Sequence, residues 1–169
     1  QLLVFRLADE DYAFDVVLVE EVLEFTTVTR VPRTPEFLLG VVNVRGRVIP
    51  VMDLRIRLGL RVSESTEESR LIVVTLKCGE EELSVATLAD GVEGVIDIPV
   101  TDVERAPSVG AGGDSTVSAL GHYDERLLLI LDTAQILTQE LLDSSYAALS
   151  RAQGPSSRRA SNEQPAAGA

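Results

Sequence analysis

A few side chains in this sequence could do chemistry, and each sits in a pattern that says what it would need. Asp132 ends an apolar run, LLILDTA (128–134), and Asp53 ends another, so two carboxylates sharing a proton is the first arrangement to weigh. That chemistry needs a glycine after Asp-Thr for a tight backbone turn, but Ala134 stands there, and Asp53 is followed by Leu54 rather than Thr. A helix N-cap, a position Asp favours, accounts better for Asp132. His122, the single histidine, has no Ser or Cys nucleophile at a recognisable elbow and reads as a strand-end residue. Cys78, the single cysteine, follows an apolar strand, where a thiol packs as a small hydrophobe. One His and one Cys leave no metal site of the Cys/His kind. Gly110, Gly112 and Gly113 lack the Lys-Ser/Thr of a phosphate loop. These residues point away from an enzyme, a metal centre and a cofactor.

The elements that hold them read as β-structure. GVVNVRGRVIPVMDLR (40–55) is two apolar runs around Arg45-Gly46, where glycine tolerates the positive φ of a tight hairpin turn. It predicts strands over 39–44 and 47–54, with Pro50 at an edge or bulge because it cannot donate to a ladder. Upstream, strands are expected over 2–7 and 12–15, then a single helical or 3₁₀ turn where Val16, Val19 and Val22 recur every third residue, then a strand over 23–30. Asp53 should cap a short helix stopped at Gly59. SESTEES (63–69) reads as a linker and subdomain boundary. Strands follow over 70–78, buried on both faces, then 83–88 and 92–98, with a flexible GAGGDS at 110–115. Arg47…Asp53 and Arg126…Asp132 share one spacing, each after a turn, which suggests two similar small barrels over about 2–61 and 70–131. Asp132 and Gln135 resemble a capping box opening a helix over 133–150, with Leu137, Leu141 and Ala148 on one stripe and Leu142, Tyr146 and Leu149 on the next. Residues 153–169 have the composition of a disordered tail and read as a chain end, while Gln1 leaves the N-side open.

Charge narrows the partners. Net charge is −12; residues 1–61 carry eight basic and nine acidic side chains, and 62–150 carry four and seventeen. An acidic second half argues against nucleic acid, and aromatics at 4% leave little for base stacking. The absence of a disulfide framework makes a reducing cytoplasm the default, and no apolar run approaches membrane-spanning length.

Residues 40–55, preceded by Arg30-Val31-Pro32, resemble the signature of the CheW-like family of chemotaxis adaptors. The resemblance continues in LVFRLADEDYAFDVVLVEEV (3–22), LADGVEGVIDIP (88–99) and ALGHYDERLLLILDT (119–133), and so covers most of residues 2–137. It implies an all-β fold of two SH3-like five-stranded barrels packed together, followed here by the helix and tail. It implies a non-catalytic scaffold coupling the cytoplasmic tips of chemoreceptors to the regulatory domain of the histidine kinase CheA, in the cytoplasm at membrane-associated receptor arrays. Matching positions for partner binding are Val16, Val19, Val92 and Val95 as apolar anchors of a groove between the barrels, Glu21 and Arg45 as an ion pair, and Gly40 at the hairpin's start. The residues alone would make the four valines core. One departure stands out: Glu104-Arg105-Ala106-Pro107-Ser108-Val109 puts acid and Val where family members often carry base and an aromatic, in the region that packs adaptor and kinase into rings. An adaptor for an alternative chemosensory output fits that departure.

Two other readings compete. The same fold could be a regulatory domain of a larger kinase or receiver hybrid. From a different class, LLILDTA resembles an aspartic-protease strand, which would need a homodimer to pair its carboxylates.

Overall fold

The computed structural model describes residues 1–78, 80–107, 116–136 and 139–154. GAGGDS, Ser108, Val109, Leu137 and the tail from Pro155 lie outside the described residues, as does the side chain of Cys78.

Apolar alternation starts the chain as a hairpin of β1 (Leu2–Leu7) and β2 (Glu10–Asp15), turned at Ala8-Asp9 with Ala8 at φ 53°. The Asp15 carboxylate accepts from the Val17 N–H and caps the expected 3₁₀ turn, Val16–Leu18. The next strand, β3, is Val19–Glu24 rather than 23–30. Its partner β6 (Arg70–Cys78) ends its ladder at Glu24↔Arg70, and one further bond, from the Phe25 N–H to the Ser69 carbonyl at 3.4 Å, follows before that pairing stops. Only Thr29 re-engages, by a bridge to Val41.

The central hairpin is β4 (Leu38–Val44) and β5 (Arg47–Asp53), with Arg45 and Gly46 at φ 51° and 84° as a tight twisted turn requires. Pro50 faces Val41, and the ladder from β5 to β7 (Glu81–Ala89) begins only at Val51, so its missing N–H leaves no gap there. Asp53 caps α1 (Leu54–Arg57), and Gly59 ends it at φ 69°. β8 (Gly91–Ile96), a 3₁₀ turn (Val100–Asp102), β9 (Val103–Arg105), β10 (Val117–Tyr123) and β11 (Arg126–Leu131) follow. Asp132 accepts from the Ala134 N–H at 2.9 Å and opens α2 (Thr133–Ile136); α3 is Gln139–Ala152. Both strand-end carboxylates, Asp53 and Asp132, are therefore spent on helix caps.

The strands form two sheets, ordered β8-β1-β2-β11-β10-β9 and β3-β6-β7-β5-β4. In each, a hairpin (β10–β11 or β4–β5) pairs in parallel with a second hairpin (β1–β2 or β6–β7). The first five strands of the six-stranded order match the five of the other, down to bulges between Val117 and Ala119 and between Leu38 and Gly40, and β9 has only the Thr29 bridge as its counterpart. Each sheet also curls to meet itself, because the segment after β3 reaches β4 through Thr29 and the segment after β8 reaches β10 as β9.

The chain is thus duplicated, as the Arg…Asp spacing suggested, but the expected subdomains 2–61 and 70–131 do not each build a sheet. Strands β1–β2 of the first repeat join β8–β11 of the second, and β6–β7 of the second join β3–β5 of the first. β2 meets β11 and β7 meets β5, so neither hairpin pairs with the other hairpin of its own repeat.

The main core lies between the sheets, where Leu3, Phe5, Leu7, Tyr12 and Phe14 meet Ile72, Val74, Leu76 and Val85. The other face of β6, Leu71 and Val73, fills the inside of the second sheet with Val42, Ile49, Val51 and Leu88. Over Leu71–Val74 β6 is buried on both faces, as that apolar run predicts, while Lys77 further along is exposed. α3 adds Leu141, Leu142 and Ala148 to the main core. Each fully buried Leu contributes about 1.5–3 kcal/mol by removal from water.

Candidate functional site

β3 carries a bulge between Val19 and Glu21, which turns two successive acids toward the tip of the β4–β5 hairpin. Glu21 pairs with Arg45 at 3.0 Å, the arginine 80% exposed and the glutamate 20%. Glu20 meets Arg47 at 3.2 Å and accepts from Thr75 and Ser84. Burial opposes the charge on Glu20, but the hydrogen bonds from Ser84, Thr75 and Arg47 outweigh it and hold its carboxyl below the ordinary glutamate value. The bulge and hairpin tip are thereby fixed to each other by two ion pairs side by side.

Gly40 sits at the other end of this hairpin, at φ 147°. A Cβ there would lie 2.1 Å from the Thr29 carbonyl oxygen, and Thr29 and Val41 exchange both backbone hydrogen bonds at 2.9 Å. Gly40 is required by that close approach, which closes the second sheet.

The four valines divide by strand. Residues directly opposite each other share a face of a sheet. Val19 lies opposite Val74 on β3's side, and Val92 and Val95 lie opposite Phe5 and Leu3 on β8's side. Their partners all belong to the core between the sheets, so these valines occupy the inter-sheet faces of two edge strands. Val19 and Val92 pack against that core, while Val95 is 52% exposed. Val16 is half-buried in the 3₁₀ turn. A cleft of about 430 Å³ opens beside Val92, lined by Phe5, Arg6, Glu93 and Arg126 among others.

Duplication relates β3 to β8, since each flanks a bulge against the first strand of a hairpin. Val19 corresponds to Val92, Val22 to Val95 and Glu20 to Glu93. Glu93 indeed pairs with Arg126, at 2.7 Å, as Glu20 does with Arg47. The hydrogen bond from Arg126 keeps Glu93 below the ordinary glutamate value, and the same bond raises Arg126. The Glu21–Arg45 pair has no such counterpart: Gly94 and Asp124 stand in those places. Val22, noted from sequence only for its spacing with Val16 and Val19, was not among the expected partner-binding positions.

Beneath the site, Arg55 is buried and forks onto Asp53, with Nε–Oδ1 at 3.0 Å and Nη2–Oδ2 at 2.8 Å. Its Nη1 reaches Asp90 at 2.6 Å, and Asp90 in turn accepts from the Ala8 N–H. Hydrogen bonding to Asp53 raises the arginine's pKa against the cost of burial. The Asp-Leu-Arg of the motif is thus a structural clamp joining both sheets; sequence reading saw only its cap.

The fold is thus a pair of curled sheets, with valine-bearing edge strands β3 and β8 and an ion-paired hairpin tip beside β3. A family model for the CheW-like domain matches residues 1–141. The chain is 30% identical over 144 residues to chemotaxis protein CheW of Klebsiella aerogenes, covering 83% of this chain and 82% of that one. It is 32% identical over 146 residues to CheW of Bacillus subtilis, covering 86% and 91%. The crystal structure of the scaffolding protein CheW from Thermoanaerobacter tengcongensis matches with a TM-score of 0.70 at 33% identity, covering 78% of this chain and 87% of that one. This chain belongs to the CheW-like domain family and is a chemotaxis adaptor. No helix among the described residues is long and apolar enough to cross a membrane.

Proposed function

We propose that this protein is a non-catalytic scaffold that couples the cytoplasmic tips of chemoreceptors to the regulatory domain of the histidine kinase CheA, at membrane-associated arrays. The observation that carries this reading is the exposed Arg45, pinned by Glu21 beside the valine-bearing edge of β3. A surface ion pair of this kind adds little stability, about 0–1 kcal/mol, so its use is shape and recognition. The half-exposed valines on β3 and β8 offer a helical receptor tip apolar anchors, and the ion pair sets the register beside them.

The test is binding of the purified chain to the kinase regulatory domain and to a receptor-tip fragment, for wild type and Arg45→Ala in parallel. Both ligands should bind wild type, and the receptor fragment alone should weaken on substitution. A wild-type chain that binds neither would leave the fold without this function.

A further inference from the structure

We propose that residues 2–58 and 70–154 are docking surfaces for one another, and that a second copy of this chain can supply either half, giving a reciprocally exchanged dimer hinged on residues 59–69. This goes beyond the adaptor reading and does not depend on it.

The warrant is the exchange of hairpins between repeats. Four ladders join the halves: β1 to β8, β2 to β11, β3 to β6 and β5 to β7. The core between the sheets mixes side chains of both halves, with Phe5 and Phe14 against Ile72 and Val85. The buried clamp crosses the same boundary, from Arg55 to Asp90 and from Asp90 to Ala8. So does the part-buried pair from Arg126 to Asp11. Each of these contacts specifies a half and is indifferent to which molecule provides it. They are all retained if two chains trade halves.

What exchange disturbs is confined to the connection. Residues 61–68 are all exposed. The hinge is held by the Leu60 N–H to the Arg55 carbonyl, by Arg55 to Ser63, and by the Arg6–Glu68 pair, whose side chains are 49% and 75% exposed. Fully extended, residues 59–69 reach about 36–40 Å, enough to lead from one unit into a neighbouring one. At low concentration the tethered half wins through its effective concentration, and at high concentration the second copy competes. An exchanged dimer rebuilds the β3 and β8 edges in both units, so it presents two copies of the candidate site on one particle.

The experiment uses the full chain with Cys78→Ser, Glu24→Cys and Arg70→Cys. Glu24 and Arg70 face each other across β3 and β6, one from each half. The chain is unfolded, refolded over a hundredfold range of concentration, oxidised with a glutathione couple and run on a non-reducing gel. The dimer-to-monomer ratio should rise with concentration, about tenfold for each tenfold while monomer predominates, as mass action requires. A control pair within one half, Asn43→Cys with Val48→Cys, should stay intramolecular throughout. A second variant deletes 61–68 in the Glu24/Arg70 background, and should give a folded covalent dimer at every concentration. Covalent dimer no more abundant than in the control, or a shortened-hinge chain that yields no folded dimer, overturns the proposal.

Discussion

Arg47 and Glu20 meet at 3.2 Å, and Arg126 and Glu93 meet at 2.7 Å in the equivalent place of the other sheet. In both, the arginine opens the second strand of a hairpin and the glutamate sits at a bulge on an edge strand. The neighbouring pair, Arg45–Glu21, occurs once. What the duplication repeats holds the barrels' geometry; what it does not repeat marks the surface that distinguishes one barrel from the other.

Arg45→Ala should leave the melting temperature almost unchanged, since an exposed pair contributes about 0–1 kcal/mol. Thermal melts and receptor-fragment binding measured on the same sample separate the two effects. A drop of many degrees would make the pair structural.

Gly40→Ala should behave differently. The added methyl meets the Thr29 carbonyl, so the bridge closing the second sheet opens, at about 1–3 kcal/mol for the strained backbone alone. Chemical denaturation should show reduced stability together with weakened receptor binding.

Arg55→Met should be the most destabilising of these substitutions, at about 3–5 kcal/mol, because it leaves Asp53 buried without its counter-charge. Adding Asp53→Asn should recover part of the loss. No recovery in the double variant would mean that cavity and cap effects, and not the stranded charge, dominate.

Acid should weaken the fold through Glu20 and Glu93. Both carboxyls are held below the ordinary value of 4.5 in the folded state. Their contribution is therefore present above that value and lost as pH falls through the folded-state values. The melting-temperature gap between wild type and Glu20→Gln should be constant from neutral pH down to about pH 5 and narrow below 4.5. A constant gap down to pH 3 would count against the ion-paired state of Glu20.

Val95→Lys should fold normally, as a half-exposed edge position accepts a long cation, yet lose receptor-fragment binding if β8 forms one wall of the docking groove. Unchanged binding would remove β8 from the site.

Local chemistry was legible in the sequence. Arg45-Gly46, Asp53 and Gly59, and Asp132 each specify a turn or a cap through contacts a few residues long, whereas the three-residue valine spacing was helical only at Val16–Leu18, with Val19 and Val22 on β3. The two-faced burial of β6 at Leu71–Val74 was legible too, because that apolar run has no polar face to give to water. The family resemblance proposed a partner-binding set from motif positions alone; in the fold Glu21 meets Arg45, Gly40 abuts Thr29, Val16 lies in the 3₁₀ turn, and Val19, Val92 and Val95 lie on two edge strands.

Long-range partners were not legible. That Asp90 completes the Arg55 clamp, that Glu20 rather than a nearer acid meets Arg47, and that Val22 is the counterpart of Val95 all depend on residues dozens of positions apart. The clearest case is the exchange of hairpins. The repeated Arg…Asp spacing suggested two similar units, since spacing is a property of one stretch of chain. Which hairpin enters which barrel was decided by tertiary structure, because two copies of one pattern offer equivalent edges to the same hairpin. Only the packing of the common core between the sheets, with the linker's reach, chooses between them.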